Sequence, residues 1–149
     1  YHHNFDSKYF DEWATEFSIT NDVVVRKGGG AGFFCRVEDY KWIGGNDSLF
    51  APASWEDMDL FVRMQLEGYE FKMITKSVLW HFGARGSHFR DEAKDDFSKK
   101  SERQQKAEQV NVQKWVSKWG RLPNHDSETF VVPITGTNVP TRLKWENFD

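Results

Sequence analysis

The side chains of this chain that are equipped for chemistry fall in a few short stretches. Glu56, Asp57 and Asp59 form an acidic cluster, His81 ends an apolar run, and Arg85, Ser87 and His88 lie in a Gly/Ser-rich segment just after it. Carboxylates and imidazoles of this kind transfer protons or ligate cations. Asp57 and Asp59 cannot chelate one ion from an intact helix, because residues two apart point about 200° away from each other at 3.6 residues per turn. Asp59 is placed instead to pair with Arg63 four residues on. Ser54-x-x-Asp57 is also a capping-box-like pattern, and acids in a first turn suit the helix dipole. A structural role for Asp57 at the helix start therefore stands beside any chemical one. The run Gly28-Gly29-Gly30-Ala31-Gly32 lacks the Gly-Lys-Ser/Thr ending of a phosphate loop, and Phe33 stands where a dinucleotide fingerprint needs its last glycine. It reads as a loop between strands. Neither Cys35 nor His125 has a neighbour in sequence that makes it chemically interesting.

The elements that must position these groups can be read from periodicity. Phe5, Tyr9, Phe10, Trp13 and Phe17 predict an amphipathic helix over about residues 5–17. The β-branched Val23-Val24-Val25 predicts a short strand, and Gly32 to Val37 a buried one, followed by a helical turn through Tyr40 and Trp42. Gly44-Gly45-Asn46-Asp47 is a turn. Ser54 to Glu67 has Ser54 as N-cap, acids in its first turn, an apolar face of Met58, Phe61, Val62 and Leu66, and Gly68 as its stop. Strands are expected over Tyr69–Thr75 and Ser77–Phe82. A long charged helix is expected from about Asp91 to Trp119, solvated early and docked late. The residues after it read as irregular, with one strand-like piece at Thr129–Ile134.

Composition narrows the class. With 7 Trp, 4 Tyr and 13 Phe among 149 residues, the chain has an aromatic load suited to a packed core, despite 29% charged residues and a mean hydropathy of -0.73. Twenty basic against 23 acidic residues give a net charge of -3, which provides no global field for nucleic acid or an anionic membrane. The single cysteine forms no internal disulfide, and neither a leader segment nor a long apolar span is visible. A cytoplasmic location is the expectation.

From Gly32 to His88 the order of motifs resembles the C-terminal half of family 2 glycosyltransferases with a GT-A fold. The matching residues are Arg36, Gly44-Gly45-Asn46-Asp47-Ser48, Trp55-Glu56-Asp57-Met58-Asp59-Leu60, Arg63, Gly68-Tyr69 and Trp80-His81-Phe82-Gly83. Asn46 and Ser48 depart from the Phe and Glu usual in the family's turn. The resemblance implies an α/β fold, a partial GT-A (nucleotide-diphospho-sugar transferase) domain with a mixed sheet, flanking helices and a long C-terminal helix. On that expectation residues 1–124 are the C-terminal portion of a glycosyltransferase domain and 125–149 an irregular tail. The donor-binding half, with its metal-binding Asp-x-Asp, is absent from these residues, so the chain is expected to be the acceptor-side portion of a larger enzyme and inactive alone.

The resemblance also implies roles. Asp57, within the Glu56-Asp57 pair, would be the catalytic base of an inverting transfer from a nucleotide-sugar to a hydroxyl acceptor. His81 would ligate a divalent cation (Mn or Mg) on the donor, and Arg85, Ser87 and His88 would lie over the diphosphate. Trp42 and Trp55 would stack on a carbohydrate acceptor. Read from the residues alone, His81 is equally a core histidine, the loop a plain exposed one, and each Trp a core-edge residue. The implied partners are thus a nucleotide-sugar and a carbohydrate or other hydroxyl acceptor, with no nucleic acid, no membrane span, and self-association open. Two other functions compete: a non-catalytic sugar-binding or assembly module, and a small metal-dependent hydrolase using His81, His88 and nearby acids. The last lacks a compact ligand spacing such as His-Glu-x-x-His.

Overall fold

A computed structural model of the chain describes residues 5–20, 24–26, 32–52, 54–74, 76–80, 102–120, 122 and 140–144. In chain order these contain α1 (Ser7–Thr20), β1 (Val24–Arg26), α2 (Val37–Ile43), a 3-10 turn (Ser48–Phe50), α3 (Glu56–Leu66), β2 (Phe71–Met73) and α4 (Glu102–Trp119). His81, Arg85, Ser87, His88, the first part of the long predicted helix and the strand-like piece at 129–134 lie outside the described residues.

The expected α/β architecture is overturned. Among the described residues the chain is mostly helical, and strand is confined to β1 and β2, three residues each, paired with each other. No mixed sheet with flanking helices is present there, and the GT-A assignment falls with it. The reason lies in burial. A sheet's inner strand must be paired and covered, yet in the segment expected as a buried strand Phe34 is 91% and Val37 59% exposed. Phe33 meets Phe61 edge-on, with centroids 5.1 Å apart, so its apolar surface is spent on a helix instead of a neighbouring strand. Residues 77–80 likewise take no strand conformation, and Leu79 is exposed.

The chain divides into two compact units, each built from two stretches of sequence. One comprises Tyr1–Val24 with Lys72–Lys106, the other Val25–Phe71 with Ala107–Asp149. In the first, Asp6 starts α1 by accepting the Tyr9 N–H through Oδ1 at 3.1 Å. Most of the predicted aromatic stripe is present: Phe10 lies 6.0 Å from Trp13, and Trp13 stacks on Phe17 at 5.1 Å, whereas Tyr9 is 69% exposed. Trp80 closes on the same stripe, 5.3 Å from Phe5 and 6.0 Å from Phe10. No helix among the described residues is long and apolar enough to cross a membrane.

The second unit holds the core. Ile43, Phe50, Leu60, Phe61, Val62, Met64, Trp115 and Trp119 are buried together, with Tyr40, Trp55, Met58, Tyr69 and Phe71 packed around them. α2 ends at Gly44, whose φ of +88° is the left-handed conformation that favours glycine and lets its N–H reach the Lys41 carbonyl. A Cβ there would also collide with the Leu143 carbonyl oxygen. α4 presents Asn111, Trp115 and Trp119 inward at helical spacing, while Val110 and Val116 face solvent. The docked part of this helix is thus as expected, but its buried stripe includes an asparagine.

Candidate functional site

The acidic cluster is positioned by a buried ion pair one turn further along α3. Asp59 and Arg63 are both fully buried. Arg63 Nε donates to Asp59 Oδ2 at 2.8 Å, Nη1 to the Ile43 carbonyl at 2.8 Å, and Nη2 to the Gly45 carbonyl at 2.5 Å. One guanidinium therefore ties α3 to the end of α2 and the glycine turn beyond it. Asp59 Oδ1 takes the Trp119 Nε1–H at 2.9 Å and lies 2.6 Å from Lys118 Nζ. A buried carboxylate needs such a set of donors, since desolvation without them is prohibitive. The i,i+4 pairing expected for Asp59 is present, and α4 supplies the remaining donors.

α4 also holds the irregular backbone that leads into α3. Asn111 Nδ2 donates to the carbonyls of Phe50 at 2.8 Å and Ser54 at 3.0 Å. Lys114 Nζ reaches the Leu49 carbonyl at 2.7 Å, and Lys118 Nζ reaches Asp47 Oδ2 at 2.6 Å. Burial pushes the Asp47 carboxyl up, but Lys118, the Leu49 N–H and Arg63 hold it below the ordinary carboxylate range. Asn111, Lys114 and Lys118 are three and four residues apart, so one edge of α4 runs along residues 47–54 and donates to the carbonyls of Leu49, Phe50 and Ser54 and to the Asp47 carboxylate.

That support sustains a strained turn. Ser54 and Trp55 have φ of 79° and 78°, left-handed values that cost a non-glycine residue energy and persist only where the surroundings over-determine them. Ser54 is consequently not the N-cap. Trp55 occupies that position and makes no side-chain cap bond, while its indole packs on Trp115 at 5.3 Å. The predicted capping box does not form because Ser54 has the wrong backbone conformation for it.

Glu56 and Asp57 emerge directly from this turn with unlike surroundings. Glu56 is half-buried, and its Oε2 has no hydrogen-bond partner among the described residues. Burial raises its carboxyl above the ordinary Glu value, and the Asp57 charge adds to that; the backbone N–H groups of Glu56 itself and Ser54 pull the other way. Asp57 is exposed, with Oδ1 accepting the Met58 N–H at 2.8 Å. The arrangement thus places one carboxyl biased toward its neutral form beside one open to solvent, the unlike pairing from which acid and base roles can be divided.

The remaining predicted residues are distributed as follows. Trp42 is on α2, 43% exposed, with the Arg142 guanidinium carbon 3.5 Å from its ring centroid. Trp55 belongs to the core edge. His81, Arg85, Ser87 and His88 lie outside the described residues. Among those described, no group of three or more His, Cys, Asp or Glu is placed to hold a metal ion. Sequence reasoning missed Asn111, Lys114 and Lys118, whose three-and-four spacing was the available signal. It also missed Glu67 and Arg142, which have no local signature at 75 residues apart.

No protein-family model matches the chain, and no curated protein or solved structure matches it.

Proposed function

We propose that the chain is the acceptor-side part of a nucleotide-sugar-dependent glycosyltransferase, with the head of α3 as its acid–base element. The observation that carries this reading is the strained Ser54-Trp55 turn, braced by α4, which presents a half-buried Glu56 and an exposed Asp57 side by side. Strain of this kind is retained where a geometry is needed. The matching order of Arg36, Gly44-Gly45, Glu56-Asp57, Asp59, Arg63 and Gly68-Tyr69 supports it independently of any sheet.

In the proposed reaction an acceptor hydroxyl approaches the Asp57 carboxylate, which takes its proton as the oxygen attacks the anomeric carbon. The sugar–phosphate bond breaks in the same displacement, the nucleoside diphosphate leaves with the electron pair, and the configuration inverts. Glu56 is a positioning residue: its carboxyl draws in the backbone N–H groups of Ser54 and Glu56 and so holds the turn that aims Asp57. A divalent cation, Mn or Mg, belongs to this proposal only through His81, with Arg85, Ser87 and His88 proposed for the diphosphate.

The test compares Asp57→Asn with the native residue in the enzyme carrying its donor-binding part. Asparagine keeps the size and a local acceptor but takes no proton, so turnover falls on the order of 10²–10⁴-fold. The melting temperature barely moves, because an acid in an exposed first turn contributes only about 0.3–1 kcal/mol. Near-normal turnover for Asp57→Asn overturns the assignment. Glycoside binding without turnover by the native enzyme favours the non-catalytic sugar-binding module.

A further inference from the structure

Residues 140–144 lie across the face made by α2 and the end of α3, and their contacts follow a pattern. Arg142 places its guanidinium over the Trp42 ring, 3.5 Å from the centroid. Its Nε and Nη2 donate to Glu67 Oε2 at 3.0 and 2.7 Å, and the Thr141 hydroxyl donates to Glu67 Oε1. The Leu143 N–H donates to the Ile43 carbonyl at 3.1 Å, beside the missing side chain of Gly44. The receiving surface therefore consists of an aromatic plate, a carboxylate with both oxygens engaged, and a backbone carbonyl at a helix end. Tyr69 continues it, 6.3 Å from Trp42, with its hydroxyl donating to Asp39 at 3.1 Å.

Such a surface has a definite ligand chemistry. A pyranose offers an apolar C–H face to a plate and adjacent hydroxyls as donors to a carboxylate. The segment supplies the same two features from Arg142 (a flat group on the ring, N–H donors to Oε2) and Thr141 (a hydroxyl donor to Oε1). With the segment in place, Thr141 and Arg142 draw the Glu67 carboxyl below its ordinary range. The covering is also weakly held. Arg142 is 54% exposed in its side chain, and an ion pair that wet is easily exchanged.

We propose that Trp42, Glu67 and the Ile43 carbonyl form a sugar subsite, and that residues 140–144 are an intramolecular strap that occupies it and is displaced by a glycoside. This rests on the transferase reading for its purpose, the subsite being where the acceptor docks, but not for its test. Because the strap competes with the ligand, apparent affinity is reduced by the fraction of molecules in which the strap is closed.

The experiment uses the chain as it stands, with methyl glycosides of glucose, galactose and N-acetylglucosamine as probes. NMR follows the exchange of the Leu143 amide hydrogen and the Trp42 indole signal. Glycoside addition to the native chain accelerates Leu143 exchange and shifts Trp42. Arg142→Ala accelerates that exchange without ligand and tightens glycoside binding on the order of tenfold. Trp42→Ala, checked for an unchanged melting temperature, loses the binding. Equal affinity in native and Arg142→Ala chains overturns the strap. Binding that persists in Trp42→Ala, or no binding by any variant, overturns the subsite. Turnover separates the two readings: a displaced strap in an enzyme without transfer removes only the transferase, whereas transfer indifferent to Arg142→Ala with unaltered Leu143 exchange removes only the strap.

Discussion

Arg63 is the residue whose removal the structure prices most clearly. Arg63→Met keeps most of the side-chain stem and deletes the guanidinium from a site with no solvent access. Three bonds are lost: the one to Asp59 Oδ2 and those to the carbonyls of Ile43 and Gly45. Asp59 is not left bare, because Trp119 Nε1 and Lys118 Nζ remain on Oδ1. The Gly45 carbonyl is left without that donor, at about 1–3 kcal/mol for a buried group, while the Ile43 carbonyl keeps the Leu143 N–H at 3.1 Å. Breaking a buried pair from one side costs about 3–5 kcal/mol as a whole, and the Gly45 carbonyl accounts for part of that sum. Arg63→Lys retains the charge but not the fork, so it should fall between Met and the native residue. Urea unfolding followed by Trp fluorescence reads this well, since Trp115 and Trp119 are buried in the same core. A loss below about 1 kcal/mol for Arg63→Met would show that the Gly45 carbonyl finds water and that the guanidinium is not what joins α3 to α2.

Two further outcomes follow from single positions. Gly44→Ala introduces a Cβ at φ +88° that collides with the Leu143 carbonyl; the backbone strain alone costs about 1 kcal/mol, and the strap must shift, so faster Leu143 exchange should accompany a lowered urea midpoint. Glu56 has its folded-state pKa raised above the unfolded value, so the folded state binds the extra proton and this group's contribution to stability is largest at low pH. It declines as pH rises from the unfolded pKa through the folded one. Glu56→Gln should therefore flatten the stability–pH curve in that window and leave the chain no less stable at neutral pH; an unchanged curve between the native and Gln chains would refute the assignment.

The helices were legible because each carries a local signal: the aromatic stripe of α1, the acid-led apolar face of α3, and Trp115 and Trp119 on α4. Asp59 with Arg63 was legible for the same reason, since four residues on a helix is a contact distance. The strands were misread where aromatic runs stood in for burial. Phe33 and Phe34 suit a pleated surface by type, but nothing in their own sequence reports that one would pack on Phe61 and the other remain in water. The cap at Ser54 failed through tertiary override, as α4 fixes Ser54 and Trp55 in a conformation that no local preference selects. Asn111, Lys114 and Lys118 were missed because their partners, backbone carbonyls for the first two and the Asp47 and Asp59 carboxylates for Lys118, lie more than fifty positions away in the chain.

The division of each unit between two stretches of chain has a consequence for how the protein is made. Asp59 receives donors from Trp119, 60 positions later, so during synthesis α3 emerges long before the side chains that complete its carboxylate's shell. Until then Asp59 and Arg63 have only each other and the nearby carbonyls, and the apolar face that awaits Trp115 and Trp119 is open. Closing so long a loop is slow compared with forming a helix. The nascent chain therefore passes through an interval in which a chaperone or another nascent copy competes for that face. For the same reason no single cut in the sequence separates the two units intact, and a fragment ending before Ala107 would carry the acidic cluster without the brace that shapes it.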